Sequence, residues 1–265
     1  MTITDIFPDE IRKCLCGYEA VKDDIGRSSA SVLRFTGNSD SCFLKIQKIS
    51  AESIRERDIL GFLSGKLPVP EILAYSEKDG YSYLLMSELH GEMACSRNNL
   101  EDISMVSEML AEGLLMLWDI DITGCPFDER VERKLEAARM HIIDGKVDMD
   151  DLDDENRRFS SPEEIYHELI GKKPETEDLV FSHGDYCLPN IFIKDRHVTG
   201  FLDLGRAGIS DRWQDISLCV RSMRYNFRRH DEKEIDKAVK LFLRNIGVSM
   251  DEEKYRYFTL LDELF

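Results

Sequence analysis

Asp185, Asn190 and Asp203 are the residues of this chain best suited to chemistry, because each places a hard oxygen donor in a short loop beside apolar residues. The first two lie in His183-Gly184-Asp185-Tyr186-Cys187-Leu188-Pro189-Asn190, which continues into Ile191-Phe192-Ile193, and the third in Phe201-Leu202-Asp203-Leu204-Gly205-Arg206. A phosphoryl-transfer site needs a carboxylate to orient an attacking hydroxyl and accept its proton, and further oxygen ligands to hold Mg²⁺ against nucleotide phosphates. Asp185 suits the first task, and Asn190 and Asp203 the second. Asp and Asn also stabilise turns, so neither Asp185 nor Asn190 carries this reading alone.

The flanking residues supply a way to position them. Leu179-Val180-Phe181 reads as a short strand entering the His183-Gly184-Asp185 turn, while Ile191 to Lys194 turns at Asp195-Arg196 into a second stretch, His197 to Leu202. If those two stretches pair as a hairpin, their open ends bring Asn190 and Asp203 towards one ion. The spacing resembles the kinase catalytic-loop pattern H-x-D-x-x-x-x-N followed by a metal-binding Asp-x-Gly, with Gly184 where protein kinases usually carry Arg, a variant that points to small-molecule kinases.

The amino-terminal part supplies a second set of candidates. In Ser41-Cys42-Phe43-Leu44-Lys45-Ile46-Gln47 the alternation puts Phe43 and Lys45 on one face of a strand, where the ring can stack on a purine and the ammonium can reach phosphates. The segment from Ala51 to Leu63 reads as a helix capped by Ser50, with Glu56 on the stripe of Ile59, Leu60 and Leu63. An inward carboxylate needs a partner, and Lys45 is the natural one, although a Glu at the edge of the stripe can also snorkel to water. Between two expected strands, Lys22 to Ser31 holds one glycine and no G-x-G-x-x-G. Ser28, Ser29 and backbone N–H groups there are candidates for a phosphate turn, and a serine-rich hairpin without function fits the same residues.

In this order and over nearly the whole chain, these segments resemble the aminoglycoside phosphotransferases, and most of all the 3′-phosphotransferase branch. The likeness extends to Gly65-Lys66-Leu67-Pro68-Val69-Pro70, to Leu84-Leu85-Met86-Ser87-Glu88 and to Leu260-Leu261-Asp262-Glu263-Leu264-Phe265. The resemblance implies that Asp185 is catalytic, that Asn190 and Asp203 bind Mg²⁺, and that Lys45 paired with Glu56 contacts the phosphates of ATP or GTP. It further implies that Ser28 belongs to the nucleotide loop, that Ser87 to Leu89 is the purine hinge, and that Phe43 is the stacking aromatic. Arg206 matches an arginine that holds the catalytic geometry. An inserted helical region would place Asp153, Asp154 and Glu155 on the amines of the drug, joined by Asp262, Glu263 and the terminal carboxylate of Phe265. Arg157-Arg158 depart from this pattern, since cations beside a polyamine site would repel the substrate.

Composition agrees with a cationic small-molecule substrate. The 265 residues, 42% hydrophobic, suffice for two lobes with real cores, and the formal charge of −17, from 35 basic and 52 acidic residues, disfavours nucleic acid and anionic membrane as partners. An acidic surface also serves solubility. The seven cysteines, an odd number, read as reduced thiols, and no run of residues approaches the length needed to span a bilayer, so a cytoplasmic protein, a monomer or weak dimer, is expected. Cys187 has no evident general base and reads as a small filler beside the metal site.

The expected fold is α+β, bilobal and protein-kinase-like. The amino-terminal lobe, 1–88, should hold a small antiparallel sheet with strands near 17–25, 31–36, 41–47, 72–76 and 81–87 and one helix. The carboxyl-terminal lobe, 89–265, should be mostly helical, with helices near 100–117, 128–143 and 162–170, one after Asp211 whose apolar face is Ile216, Cys219, Val220 and Met223, and two more at the end. The run Asp148 to Glu155 is either a solvated acidic loop or the drug-binding region. Two alternatives remain: a kinase of another small hydroxylated molecule (a macrolide, choline or an amino sugar), and a non-catalytic protein on a kinase scaffold. The second would be expected to have lost one of Lys45, Glu56, Asp185, Asn190 and Asp203, all of which are present.

Overall fold

The computed structural model describes residues 6–21 and 31–265, so Ser28 and the expected phosphate turn lie outside the described residues. The chain divides into two compact units, one comprising Met1–Gly91 and Thr199–Gly205, the other Glu92–Val198 and Arg206–Phe265. A boundary after residue 88 therefore falls short of Gly91, and a single cut cannot assign Thr199–Gly205 to the smaller unit. That return is held by local bonds: the Phe201 amide donates to the Pro68 carbonyl at 2.9 Å and the Thr199 hydroxyl to the His90 carbonyl at 2.5 Å.

The smaller unit contains α1 (Asp9–Cys14), β1 (Glu19–Val21), β2 (Ser31–Thr36), β3 (Ser41–Lys48), α2 (Ala51–Leu63), β4 (Ile72–Lys78) and β5 (Tyr81–Ser87). The strands form one antiparallel sheet in the order β1-β2-β3-β5-β4. Asp79 and Gly80 take φ of 53° and 79°, the left-handed pair that a tight turn between β4 and β5 needs. Cys42 and Leu44 of β3 face a core with Phe7, Ile11, Leu15, Phe35, Tyr83 and Leu85. Each large side chain there contributes about 1.5 to 3 kcal/mol by leaving water. One helix was expected in this unit, and its described residues form two: α1 spans six residues, too few to show a helical period, and is fastened by Phe7, Ile11 and Leu15.

The α2 helix forms where Ser50 predicts it. Ser50 Oγ accepts the Ser53 amide at 3.1 Å while Ser53 Oγ accepts the Ser50 amide at 2.9 Å, a reciprocal cap. Ile59, Leu60 and Leu63 are buried, as is Glu56 on the same stripe.

The larger unit holds β6 (Glu92–Met93), α3 (Ile103–Trp118), α4 (Val131–Ile143), α5 (Pro162–Gly171), β7 (Leu179–Ser182), β8 (Ile191–Lys194), the start of β9 (His197–Phe201), β10 (Gly208–Asp211), α6 (Trp213–Asn226), α7 (Glu232–Asn245) and α8 (Glu252–Asp262). The strand entering the Asp185 loop, β7, pairs antiparallel with β10, which the sequence did not announce as a strand. Between β8 and β9, Asp195 and Arg196 take φ of 51° and 61°, so the chain reverses where expected. Residues 148–156 form turns and one 3₁₀ turn at Asp154–Asn156, not the inserted helical region that the resemblance implied. No described helix is long and apolar enough to cross a membrane.

Candidate active site

In the smaller unit, Phe43 and Lys45 point away from the Cys42 and Leu44 core, and Lys45 Nζ lies 2.7 and 2.8 Å from the two Glu56 carboxylate oxygens. The pair keeps side-chain exposures of 19% and 10%, so it is shielded enough to be a firm charge-assisted contact. Gln47 Nε2 donates to Glu56 at 3.2 Å, fixing the carboxylate further. The Arg34 guanidinium stands 5.9 Å from the Phe43 ring centroid and pairs with Glu88 at 2.8 Å. Ser87 Oγ accepts the Glu71 amide at 2.9 Å, and the Ser87 amide donates to the Glu71 carbonyl at 3.0 Å, so the start of the expected hinge is pinned to the residue before β4. Leu89 packs so closely on Gly200 that a β-carbon there would meet its Cδ1 at 2.8 Å. Asp203 follows β9 with an exposed side chain and φ of 59°, a conformation that costs a non-glycine residue energy and so points to a local constraint. Arg55 of α2 donates to the Gly205 carbonyl at 3.1 Å and ties down the segment that carries Asp203.

In the larger unit the Asp185 loop is anchored at nearly every residue. Asp215, on α6 and 0% exposed, accepts the His183 amide at 2.7 Å with one oxygen and the Gly184 amide at 2.9 Å with the other. Burial pushes the Asp215 carboxyl above its usual range, while His183 and these two amides pull it down. Asn190 Nδ2 donates to the Asp185 carbonyl and to its carboxylate Oδ2, both at 3.0 Å. The Leu188 amide donates to Ser222 Oγ at 3.0 Å, and the buried Tyr186 hydroxyl to the Leu110 carbonyl at 2.7 Å. Asp185 itself stays partly open to solvent.

Asp185 opens onto a cavity of 440 Å³ lined also by Asp148, Asp151, Asp153, Asp262 and Glu263, with Lys146, Arg221, Tyr225 and Phe265. Six carboxylates face two cations, so the wall is anionic and suited to a polyamine. Among the substrate candidates the structure brings Asp153, Asp262, Glu263 and Phe265 to this wall but not Asp154 or Glu155. Asp154 has a side chain 97% exposed and pairs with Arg157 at 3.1 Å, and Glu155 is likewise exposed. The reason is the 3₁₀ turn, which swings successive side chains about 120° apart, so neighbours in sequence do not share a face. Arg157 and Arg158 do not line the cavity either, and Arg158 lies 3.8 Å from Glu168.

The cation that matters is Arg221, which gave no sequence signal beyond its place on α6. It pairs with Asp262 and lies 3.4 Å from Asp153, while Arg206 reaches the other oxygen of Asp262 at 3.3 Å. Burial works against the Arg221 charge, yet Asp262, with Asp153 and Glu263 behind it, holds its pKa above the ordinary value. Glu263 accepts the Asp153 amide at 3.1 Å and Asn156 Nδ2 at 2.7 Å, and burial raises its pKa. The acidic loop and the Asp262–Phe265 segment are thus one bonded unit. Asp215 did have a signal: it stands four residues before Cys219, on the apolar face of α6, where a charge must have partners.

Comparison with known proteins agrees with this geometry. Residues 20–244 match the family model described as the phosphotransferase enzyme family. An aminoglycoside 3′-phosphotransferase of Enterococcus faecalis is 39% identical over 264 residues, covering 97% of each chain. Another from Niallia circulans is 39% identical over 263 residues, covering 98% of this chain and 97% of its own. Among solved structures, an aminoglycoside-3′-phosphotransferase of type VIII superposes with a TM-score of 0.82 at 29% identity, covering 97% of this chain and all of its own. An aminoglycoside phosphotransferase of Streptomyces rimosus, solved with ADP and streptomycin, gives 0.78 at 26% identity, covering 91% of this chain and 94% of its own. With its Lys45–Glu56 pair and its anchored Asp185 loop, the chain belongs to the phosphotransferase enzyme family and is of the aminoglycoside 3′-phosphotransferase kind.

Proposed function

We propose that the protein transfers the terminal phosphoryl group of ATP (or GTP) to the 3′-hydroxyl of aminoglycoside antibiotics and so confers resistance to them. The observation that carries this reading is that Asp185, held by Asn190 and by an Asp215-anchored backbone, opens into a cavity whose walls are mostly carboxylate. Protonated amines of the drug would be held by Asp148, Asp151, Asp153, Asp262 and Glu263, which sets one hydroxyl against Asp185. Asp185 orients that hydroxyl and accepts its proton as the oxygen bonds to phosphorus and the bond to the nucleotide diphosphate breaks. Lys45, steadied by Glu56, would neutralise phosphate oxygens, and Phe43 would stack on the purine.

Asn190 and Asp203 would each offer Mg²⁺ an oxygen ligand. Asn190 spends its nitrogen on Asp185, which leaves its carbonyl oxygen as the atom that would bind the ion, and Asp203 offers an exposed carboxylate on a constrained backbone. Both are the hard oxygen donors this ion prefers, and Mg²⁺ would offset charge on the phosphates. The test is a phosphorylation screen of aminoglycosides against macrolides, choline and peptides, with ATP and GTP, alongside Mg²⁺ titrations of Asp185→Ala, Asn190→Ala and Asp203→Ala. The expected result is turnover of aminoglycosides alone, lost in Asp185→Ala with nucleotide binding kept, and a Mg²⁺ requirement raised in the other two. Preferential turnover of a neutral acceptor would overturn the assignment.

A further inference from the structure

Lys134 is a buried cation that the phosphoryl transfer above does not use. It lies on α4 with 3% exposure, and burial pushes its ammonium pKa down, opposed by the Glu129 carboxylate. That carboxylate stands 3.7 Å away, beyond a normal hydrogen bond. The ammonium also lies 5.5 Å from the centroid of the Phe265 ring. Two turns further along α4, His141 meets the same ring edge-on at 5.0 Å between centroids, and its Nδ1 lies 3.0 Å from the Leu264 carbonyl, so this nitrogen donates the bond. Arg206 places its guanidinium 5.3 Å from the ring and pairs with Asp262. Phe265 is therefore enclosed by two cations and an imidazole, and Leu264 beside it is fully buried. Cations gather on an aromatic face because the ring's quadrupole is negative there, and a desolvated cation gains most from it.

We infer that α4 is a clamp for the substrate site: Lys134 and His141 are positioning residues that fix Phe265 and Leu264 and thereby set Asp262 and Glu263 in the cavity. Neither residue lines the cavity, so their effect on substrate acts through the segment they hold. Asp262 and Glu263 stand three and two residues from Phe265, and both already carry bonds that depend on their placement, to Arg221 and to the Asp153 amide and Asn156. A loosened Phe265 would blur the spacing of carboxylates that a rigid polyamine has to match.

The inference rests on the proposed function only for the choice of aminoglycoside as the reporting substrate. The experiment compares Lys134→Met, Lys134→Arg, His141→Leu and His141→Asn with the unaltered full chain. Asn sets its Nδ2 where His carries Nδ1, so it can still donate to the Leu264 carbonyl. Lys134→Met and His141→Leu should each raise the aminoglycoside KM roughly tenfold, the equivalent of one lost contact of this kind, while kcat and the nucleotide KM move less than about twofold. Lys134→Arg and His141→Asn should recover most of the loss. Hydrogen exchange over residues 258–265 should quicken in the first pair and return towards the parent rate in the second. An unchanged aminoglycoside KM in folded Lys134→Met and His141→Leu, or KM and kcat damage that the conservative variants fail to relieve, would overturn the clamp. Should the unaltered protein phosphorylate no aminoglycoside, the functional reading fails by itself. The exchange measurement then decides the clamp: an unchanged rate in Lys134→Met and His141→Leu overturns it.

Discussion

Gly184, at φ 84°, lies against the backbone of Arg206 so closely that a β-carbon would meet the Arg206 carbonyl carbon at 2.6 Å. Two constraints therefore coincide at one position, a left-handed backbone and contact with main chain that cannot rotate away. They account for a glycine beside Asp185. Gly184→Ala should lower kcat by at least about a hundredfold, since displacing a catalytic group by about 1 Å costs that much. Steady-state kinetics with a thermal melt would check this, and a kcat near the parent value would show that the loop tolerates the shift.

Asp215 touches no substrate-facing group but holds the amides of His183 and Gly184. Asp215→Ala takes the acceptor from the buried His183 amide, at about 1 to 3 kcal/mol, leaves the Gly184 amide only Ser182 Oγ at 3.1 Å, and should reduce both the denaturant midpoint and kcat. Asp215→Asn keeps one acceptor and should fall between. Equal stability in all three proteins would remove Asp215 from the anchoring role.

Lys45 and Glu56 should behave as one unit. Lys45→Ala and Glu56→Gln are each expected to raise the nucleotide KM on the order of tenfold, as a charge-assisted hydrogen bond of ~1.5 to 3 kcal/mol is lost or misdirected. The double variant should be little worse than either single one, and the aminoglycoside KM should hardly change. Additive losses in a double-mutant cycle would mean that the two act separately.

Asp153 and Asp154 are adjacent in sequence and should differ in function. Asp153→Asn removes a carboxylate from the cavity wall and should raise the aminoglycoside KM severalfold, with a larger effect at low salt. Asp154→Asn, on an exposed side chain paired with Arg157, should leave it unchanged. Equal effects would place the acidic run in the site as a whole, contrary to the 3₁₀ turn.

Much of the candidate site's geometry was legible because it depends on residues near one another in the chain. Strand alternation put Phe43 and Lys45 on one face, helical spacing put Glu56 on a buried stripe, and the short spacing from Asp185 to Asn190 left both in one loop, where Asn190 Nδ2 meets the Asp185 carboxylate at 3.0 Å. These periods and spacings are set by local backbone geometry, so a single sequence displays them. The sequence could not show which acidic residues enter the cavity, or that Arg221 and Arg206 share Asp262. Nor could it show that Asp215 holds the Asp185 loop, or that Lys134 and His141 enclose a ring more than 120 positions away. Those pairings join helices and loops distant in the chain, and they are decided only when the tertiary fold removes water from the groups and makes an unpartnered charge or amide costly.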